Sequence, residues 1–195
     1  MRKVVREKME TLTTIQKRCS LKGHLSAREI EPEKINTILN AARLAPSARN
    51  TQPWRFVLVQ GKEAVEDLVD HAFSEANQVA RQAPVIIVAC ARPADDVTAD
   101  GKDYYLFDVG LAVENMLLAA TDLGLVTHLI LRFDEQVVKK ILHIPDDVRV
   151  VIVTPLAYPL EGSYEDAARE RLSQRTRKEF KEVVFFNQWD DPELA

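Results

Sequence analysis

Four clusters of the sequence contain the groups best suited to chemistry: Arg18–Lys22, Pro46–Trp54, Gly124–His128 and Arg175–Lys178. The first and the last supply guanidinium, ammonium and hydroxyl groups. Such donors bind a phosphate of charge about −2 when several of them converge on one point. The second cluster is rich in amide and hydroxyl side chains, which donate and accept hydrogen bonds at once. These residue types point to a small, locally held anion.

Several other kinds of site are excluded or weakly supported. The 6 glycines form no GxGxxG, GxxxxGK[ST] or GxSxG pattern, which removes the usual dinucleotide fingerprint, the P-loop and the nucleophile elbow. The 4 histidines show no HExxH or paired spacing, and no metal ligand is predicted. The adjacent carboxylates Asp95–Asp96 and Asp146–Asp147 fall in predicted turns, where Asp is common, and are given no catalytic role.

The composition is that of an ordinary globular protein. The 195 residues, 46% hydrophobic and 29% charged, fit a single domain predicted to span 1–195. A formal net charge of −4 gives no global positive field for a nucleic acid. Cys19 and Cys90 cannot form a disulfide framework, and the N-terminal residues do not read as a targeting segment. No apolar run reaches the ~18 residues that a membrane span requires. We therefore expect a cytoplasmic protein without nucleic-acid or membrane partners.

The helices that position these clusters are predicted from hydrophobic spacing and from proline and glycine. Apolar residues at three- and four-residue spacing indicate a first helix from Val4 to about Gln16. Pro32 suits the first position of a second helix, and Pro46 blocks its continuation, so this helix ends near Ala45. Further helices are expected at Val65–Ala72, at Tyr105–Leu123 closed by Gly124, and at Asp134–Leu142 started by Asp134.

Strands are expected where β-branched and other apolar residues run continuously, because a strand covered on both faces is apolar on both. Trp54–Gln60 and Pro84–Cys90 have this pattern and are predicted to be central strands. Shorter or later strands are predicted at Val126–Leu131 and Val148–Thr154. Val183–Phe186 is an isolated strand-like segment that needs a sheet edge. Strands alternating with helices indicate an α/β or α+β layered fold.

Taken together, the clusters resemble the FMN-dependent nitroreductase family. Residues 18–22, Arg-Cys-Ser-Leu-Lys, are similar to the family's RRSxR/K signature, and residues 42–54 closely match its ARxAPSxxNxQPW segment. Residues 108–110, Asp-Val-Gly, open the helix that leads to Gly-Leu at 124–125, as in the family. Residues 175–178, Arg-Thr-Arg-Lys, are similar to the family's C-terminal KxR segment, so the resemblance covers residues 12–189.

This resemblance implies a fold, an assembly and a cofactor. The implied fold is of the α+β class, a three-layer α/β/α nitroreductase-like arrangement with a central mixed sheet. The implied assembly is a homodimer in which Val183–Phe186 adds a strand to the partner's sheet, so that the tail is swapped. The implied cofactor is FMN. Its expected phosphate ligands are Arg18, Cys19 (through its backbone), Ser20, Arg175 and Arg177.

The flavin ring would meet a second group of residues. By the resemblance, Lys22 is the cation at the N1–O2 edge, where two-electron reduction places negative charge; the alternative is a surface lysine. The amides of Asn50 and Gln52 would match the polar ring edge and a nicotinamide. These three are the candidate catalytic residues. The implied contacts to the flavin bound mainly by the other subunit come from Pro46, Ser47 and Asn50. Gly124 and Leu125 are also predicted to bind the cofactor, and the backbone N–H groups just after Gly124, those of Leu125, Val126 or Thr127, would face N5 and O4.

Other polar residues near the clusters are expected to be structural. Arg169 and Arg171 flank Glu170 and are interpreted as a solvated face. His128 is interpreted as a core or surface histidine, because hydride transfer needs orientation more than a titrating side chain.

The activity that the resemblance implies is ping-pong reduction with NAD(P)H as the electron donor and FMN as the carrier. The acceptor would be a small electron-poor molecule such as a nitroaromatic or a quinone. Two alternatives stay open at this point. The same flavin fold could serve another reduction, such as dehalogenation, enone reduction or flavin-ring remodelling. The chain could instead be a non-catalytic flavin-binding sensor.

Overall fold

The computed structural model describes residues 10–189. Its elements, in chain order, are α1 (Thr11–Lys17), β1 (Leu25–Ser26), α2 (Pro32–Arg43), β2 (Trp54–Gln60), α3 (Lys62–Ala72), β3 (Val85–Ala91), β4 (Thr98–Ala99), β5 (Lys102–Asp103), α4 (Tyr104–Asp122), β6 (Val126–Thr127), α5 (Glu135–Leu142), β7 (Arg149–Pro159), α6 (Tyr164–Ser173) and α7 (Phe180–Val183). Short 3-10 helices occupy Ala48–Asn50, Glu75–Gln82 and Pro93–Asp95.

Local sequence signals explain where the main helices begin and end. α2 begins at Pro32, whose missing N–H would have no helical acceptor at that position. α4 ends before Gly124, which adopts a left-handed φ of 73° that a side chain would disfavour. Asp134 caps α5, because its carboxylate accepts two backbone N–H groups at 2.9 and 3.1 Å. These three predictions from the sequence are confirmed.

The central sheet has the strand order β1–β7–β3–β2, with β6 paired to β7. Each of these ladders is antiparallel. Among the described residues, parallel pairing is confined to one isolated bridge, between Ser20 and Thr127. The α+β class is confirmed, but the prediction of a mixed sheet is wrong for the ladders of the described residues, because all of them are antiparallel.

The side chains of β3 build two hydrophobic cores on opposite faces of the sheet. Ile87 and Ala89 pack in a core with residues of α2 and α4, and Ile86 and Val88 pack in another with residues of α3 and α5. Successive residues of a strand point to opposite faces, so helices on both faces require a continuous apolar run. Each fully buried Ile or Val contributes about 1.5–3 kcal/mol relative to exposure. The result is a helix–sheet–helix arrangement of three layers.

β2 has the predicted bounds, but it is an edge strand of the single chain and the prediction of a central strand is wrong here. Its Phe56 and Leu58 pack toward one core and Val57 toward the other, while Arg55 and Gln60 are exposed. An apolar run reports that both faces of a strand are covered. It carries no information on whether both edges of the strand are paired, so it does not distinguish an edge strand from a central one.

Three predicted boundaries shift. The helix predicted at Val4–Gln16 is described from Thr11 to Lys17, and its first residues lie outside the described range. The strand predicted at Val126–Leu131 pairs only at Val126–Thr127, although Ile130 forms an isolated bridge to β7. The strand predicted at Val148–Thr154 continues to Pro159, where it pairs with β1.

The strand predicted at Val183–Phe186 is not formed in the single chain. Val183 is the last residue of α7, which begins with a capping box between Glu179 and Glu182. Local capping therefore outweighs the β propensity of the valines when nothing pairs with them. Pairing with a second subunit stays a prediction. Within residues 10–189, no helix has the length and apolarity needed to cross a membrane.

Candidate functional site

A cavity of about 220 Å³ lies where the segment after α1 meets the C-terminal tail, and we call it the arginine cavity. Four of its described lining residues carry a guanidinium group and none is acidic. The structure therefore brings together all five residues predicted as phosphate ligands, whose role stays a prediction. The full lining is Arg18, Cys19, Ser20, Arg171, Gln174, Arg175, Thr176 and Arg177.

Backbone contacts orient the arginines of this cavity. Arg175 donates to the carbonyl of Gln16 at 3.0 Å and to the carbonyl of Arg18, and so ties the tail to the segment after α1. Arg18 Nε lies 3.7 Å from a Glu114 oxygen, and Arg177 donates to its neighbour's carbonyl at 2.7 Å. A guanidinium has five N–H donors, so several remain for a ligand. The arrangement can bind an anion that carries more than one negative charge.

A second cavity, of about 280 Å³, contains Lys22 and is called the Lys22 cavity. The Lys22 side chain is exposed, and its Nζ donates to the carbonyl of Ala76 at 3.3 Å. Lys22 is thus neither free in solvent nor in the arginine cavity. The lining of the Lys22 cavity is Lys22, Ser74, Ala76, Asn77, His128, Leu129, Leu131 and Arg132.

His128 carries an unpartnered polar atom in the Lys22 cavity. Its Nδ1 is buried and has no hydrogen-bond partner among the described residues. Burial, and secondarily the charge of Lys22, lower the pKa of His128 below its usual value. The imidazole is therefore neutral at neutral pH. Because an unpaired buried nitrogen is costly, this atom indicates a place for a ligand group or a bound water.

The two cavities are joined by one stretch of chain. Arg18 and Ser20 line the arginine cavity, and Lys22 lines the other one. The bridge between Ser20 and Thr127 fixes this stretch to the chain just before His128. An extended molecule with a charged end and a neutral polar end can therefore follow residues 18–22.

Gly124 and Leu125 lie in neither cavity. They line a larger, more apolar one, of about 540 Å³, together with Tyr164 and Leu172. The N–H of Leu125 donates to Ala120 at 2.8 Å in closing α4, so it is already engaged. This N–H closes the glycine-ended helix in the single chain, and the predicted backbone contact of Leu125 to a flavin stays a prediction.

The loop Pro46–Pro53 lies apart from both cavities in the single chain. Three of its residues, Arg49, Asn50 and Gln52, have φ of 51°, 60° and 51°, a left-handed conformation that is costly for non-glycine residues. Ser47 Oγ accepts the N–H of Gln52 at 2.9 Å, which braces the turn. The exposed amides of Asn50 and Gln52 do not meet Lys22, so the three predicted catalytic residues are not brought together within one chain.

Two carboxylates lie under this loop. Asp108 of α4 is 2% exposed and accepts the N–H of Ala48 at 2.8 Å. Asp96 accepts the hydroxyl of Thr51 at 2.8 Å. The Asp96 Oδ2 is buried without a donor among the described residues. The two carboxylates therefore bind different groups of the loop: Asp108 accepts a backbone N–H, and Asp96 accepts a side-chain hydroxyl.

Known proteins are similar to this chain in sequence and in fold. A family model described as the Nitroreductase family matches residues 15–80 and 74–158. The chain belongs to the nitroreductase family. A relative from Archaeoglobus fulgidus, with the provisional name NADH dehydrogenase/NAD(P)H nitroreductase, is 35% identical over 154 residues, covering 77% of this chain and 86% of the relative. The family and its named members make the chain an oxidoreductase.

Two further comparisons show the range of this nitroreductase family. The iodotyrosine deiodinase of Haliscomenobacter hydrossis is 31% identical over 166 residues, covering 71% of this chain and 74% of the deiodinase. A solved structure described as the oxidoreductase containing FMN has a TM-score of 0.75 and 25% identity, covering 91% of this chain and 92% of that one. The nitroreductase fold is confirmed. The names of the relatives refer to different reactions.

The residues of this nitroreductase-family chain fit a flavin mononucleotide. A phosphate requires several cationic donors without a carboxylate among them, and the arginine cavity has this lining. A flavin ring requires polar partners at its edge, and the Lys22 cavity offers an ammonium and an unpartnered imidazole nitrogen.

Sequence reasoning missed several residues of this site. Arg171, predicted to be solvated, is exposed but also lines the arginine cavity from the last turn of α6. The sequence predicts a structural role for His128 and an ordinary turn role for Asp96. Their unpartnered atoms are visible only in three dimensions.

Proposed function

We propose that this chain is an FMN-dependent oxidoreductase that uses NAD(P)H to reduce a small electron-poor acceptor. The observation that carries the proposal is the arginine cavity, whose described lining has four guanidinium groups and no carboxylate. Four cations in so small a volume repel one another, and the contact of Arg18 with Glu114 at 3.7 Å gives only one of them an anionic partner. The family membership and the FMN-containing structural neighbour support FMN as the anion that binds there.

The chain's own residues divide the work of binding. Arg18, Arg175 and Arg177 would hold the phosphate, with the hydroxyl of Ser20. Lys22 would place a positive charge at the N1–O2 edge of the ring, and Nδ1 of His128 would face a polar ring atom. When bound, FMN supplies hydride transfer at N5, which lets donor and acceptor use one pocket in turn.

We further propose that residues 1–195 form one FMN-binding domain and that it acts as a cytoplasmic homodimer. The fold supports the dimer through exposed apolar side chains, among them Phe107, Leu131 and Trp189. In a dimer the loop Pro46–Pro53 would reach the site of the partner. That placement would bring Asn50 and Gln52 to a ring that their own chain does not hold.

The test begins with the purified protein. We expect it to be yellow, or to become so on incubation with FMN, and to release FMN rather than FAD. The loaded protein should oxidise NADH or NADPH only when an acceptor such as menadione or a nitroarene is present. Colourless protein that does not take up FMN would contradict the proposal. Protein that binds FMN without turnover would favour a flavin-binding sensor.

Dehalogenation is the second candidate function, because one relative is named iodotyrosine deiodinase. The acceptor panel should therefore include an iodinated phenol. Release of iodide with NAD(P)H consumption, and no reduction of quinones or nitroarenes, would favour this reaction. The cofactor assignment would survive that result, since both reactions use the same FMN site.

A further inference from the structure

The carboxyl pair under the loop Pro46–Pro53 is a feature that the proposed function does not use. Asp108 projects from α4 and is 2% exposed, and Asp96 lies in the connection between β3 and β4. Their partners lie in the loop: Asp108 Oδ2 accepts the N–H of Ala48, and Asp96 Oδ1 accepts the hydroxyl of Thr51, each at 2.8 Å. A helix and a connection thus grip the same loop from beneath.

The geometry leaves one oxygen of the pair unsatisfied. Asp96 Oδ2 is buried without a donor among the described residues, although Asp96 Oδ1 accepts both Thr51 and the N–H of Val97. A buried carboxylate oxygen without a donor is costly. Asp96 is the side chain with which the Asp108 carboxyl can hydrogen-bond, so a proton on Asp108 would supply that donor.

The charges around the pair favour this proton. Burial, and then the charge and hydrogen bonding of Asp96, raise the pKa of Asp108, while the N–H of Ala48 opposes the shift. Asp96 is the charged neighbour whose field raises the pKa of Asp108. Arg55 and Arg92 pair instead with Asp95, which precedes Asp96 in the chain, at 3.1 and 3.8 Å.

We infer that Asp108 and Asp96 share one proton and act as a positioning pair for the loop Pro46–Pro53. The loop needs such a device, because Arg49, Asn50 and Gln52 are all left-handed and would relax without external bonds. The pair acts through the loop and touches no reacting atom. Its importance for catalysis rests on the proposed function, in which the loop presents Asn50 and Gln52. Its effect on the loop does not.

Asp108→Asn and Asp108→Ala separate the shared proton from the bare contact. Asparagine at this position keeps an acceptor for Ala48 and gives a permanent donor to Asp96 Oδ2. Alanine removes both. The control is Asp95→Asn, an adjacent carboxylate that faces Arg55 and Arg92 instead of the loop.

The measurement is hydrogen exchange, in FMN-free protein as a function of pH, of the Thr51 and Gln52 amides, which donate to Ala48 and Ser47 within the loop. The unfolded pKa of Asp108 is near 3.8 and the folded one is higher, so the folded protein binds more protons between them. Loop protection should therefore fall as the pH rises through that window. The Asp95→Asn variant should follow the unmodified protein, and Asp108→Asn should be flat. Asp108→Ala should exchange about ten- to hundredfold faster at low pH.

The outcomes are decisive without any cofactor. Identical pH profiles for Asp108→Asn and the unmodified protein would overturn the shared proton. Unchanged protection in Asp108→Ala would overturn the positioning role. Should Asp108→Ala fail to fold, the comparison with Asp108→Asn still decides the question. If the proteins bind FMN, Asp108→Ala should weaken FMN binding and raise the KM for NAD(P)H more than Asp108→Asn does. If they do not, the proposed function fails while the exchange result stands.

Discussion

Lys22 is the residue whose position gives the sharpest functional test. Lys22 lines a cavity with His128, whose Nδ1 has no partner among the described residues, and its Nζ donates to the carbonyl of Ala76 at 3.3 Å. A cation beside the N1–O2 edge stabilises negative charge on a reduced ring. Lys22→Met should therefore lower the midpoint potential of bound FMN and slow its reduction by NAD(P)H, with binding retained through the arginine cavity.

Potentiometric titration of FMN-saturated proteins measures this effect. Lys62→Met is a matched control, because Lys62 is an exposed lysine on α3 that pairs only loosely with Glu66, at 3.9 Å. Equal potentials and equal reduction rates in all three proteins would show that Lys22 is a surface lysine, whose charge contributes about 0–1 kcal/mol.

Arg177 provides the corresponding test of the phosphate end. Its side chain lines the arginine cavity, and one Nη donates only to a neighbouring carbonyl. Arg177→Ala should weaken FMN binding about ten- to hundredfold, since one charge-assisted hydrogen bond is worth about 1.5–3 kcal/mol. The adjacent Lys178→Ala is the control. Fluorescence titration with FMN decides, and equal dissociation constants for both variants would assign Arg177 to the solvated tail.

At the scale of elements, the start of α2 is fastened to the end of β7. The hydroxyl of Tyr158 donates to Glu31, and Lys34 lies over the ring of Tyr158 at 4.7 Å. The Tyr158 bond is the main reason that the pKa of Glu31 is lowered from 4.5 to about 2. A lowered pKa adds stability that is present above pH 4.5 and is lost as the pH falls toward 2.

Glu31→Gln should therefore destabilise the protein slightly at neutral pH, and the difference from the unmodified protein should vanish near pH 2. The effect is small because Glu31 is on the surface. Urea unfolding at several pH values measures it, with Glu33→Gln on the same helix as the control. A difference that persists unchanged at low pH would mean that the Tyr158 contact does not depend on the charge of Glu31.

The elements were largely predictable because their signals are local. Pro32, Gly124 and Asp134 each mark a helix end by their own backbone or side-chain chemistry, and the apolar run of β3 reflects coverage on both faces. The predictions that failed concern features that are set by distant parts of the chain. The edge position of β2 is set by which strands pair.

The candidate site likewise has one part that the sequence predicts and another part that it does not. Five residues of the arginine cavity, the predicted phosphate ligands, belong to two short motifs, which the resemblance to a family predicts to meet at one phosphate. The contributions of His128, Asp96 and Asp108 arise from burial and from contacts between separate elements. Spacing along the sequence carries no signal for such contacts.

At the scale of the whole molecule, the C-terminal tail leaves apolar surface uncovered. Phe180 is 63% exposed and Trp189 is 81% exposed. Side chains of this size on a single chain favour association. Deleting the residues after Arg177 should therefore abolish dimerisation and weaken FMN binding together, as a swapped tail requires.

Analytical ultracentrifugation and FMN titration of the same sample test this link. A second protein that ends after Trp189 serves as the control and should behave like the full chain. A monodisperse monomer that lacks residues 178–195 and still holds FMN would count against the swapped tail.

The two cysteines give the molecule an internal reporter. Cys90 is buried in β3, and burial raises the pKa of its thiol to about 12, so almost none of it is thiolate at pH 8. Cys19 is half-buried in the arginine cavity, where its Sγ lies 3.7 Å from the Tyr164 hydroxyl. An alkylating reagent should therefore modify one position of the native protein.

Because that position lies in the arginine cavity, its rate of alkylation should measure occupancy without any optical signal from a cofactor. Saturating FMN, or a simple phosphate monoester, should slow the labelling, and mass spectrometry of the intact chain would show a single adduct. Two adducts at equal rates would mean that β3 opens in solution. A rate indifferent to every phosphate tested would mean that the anion binds elsewhere.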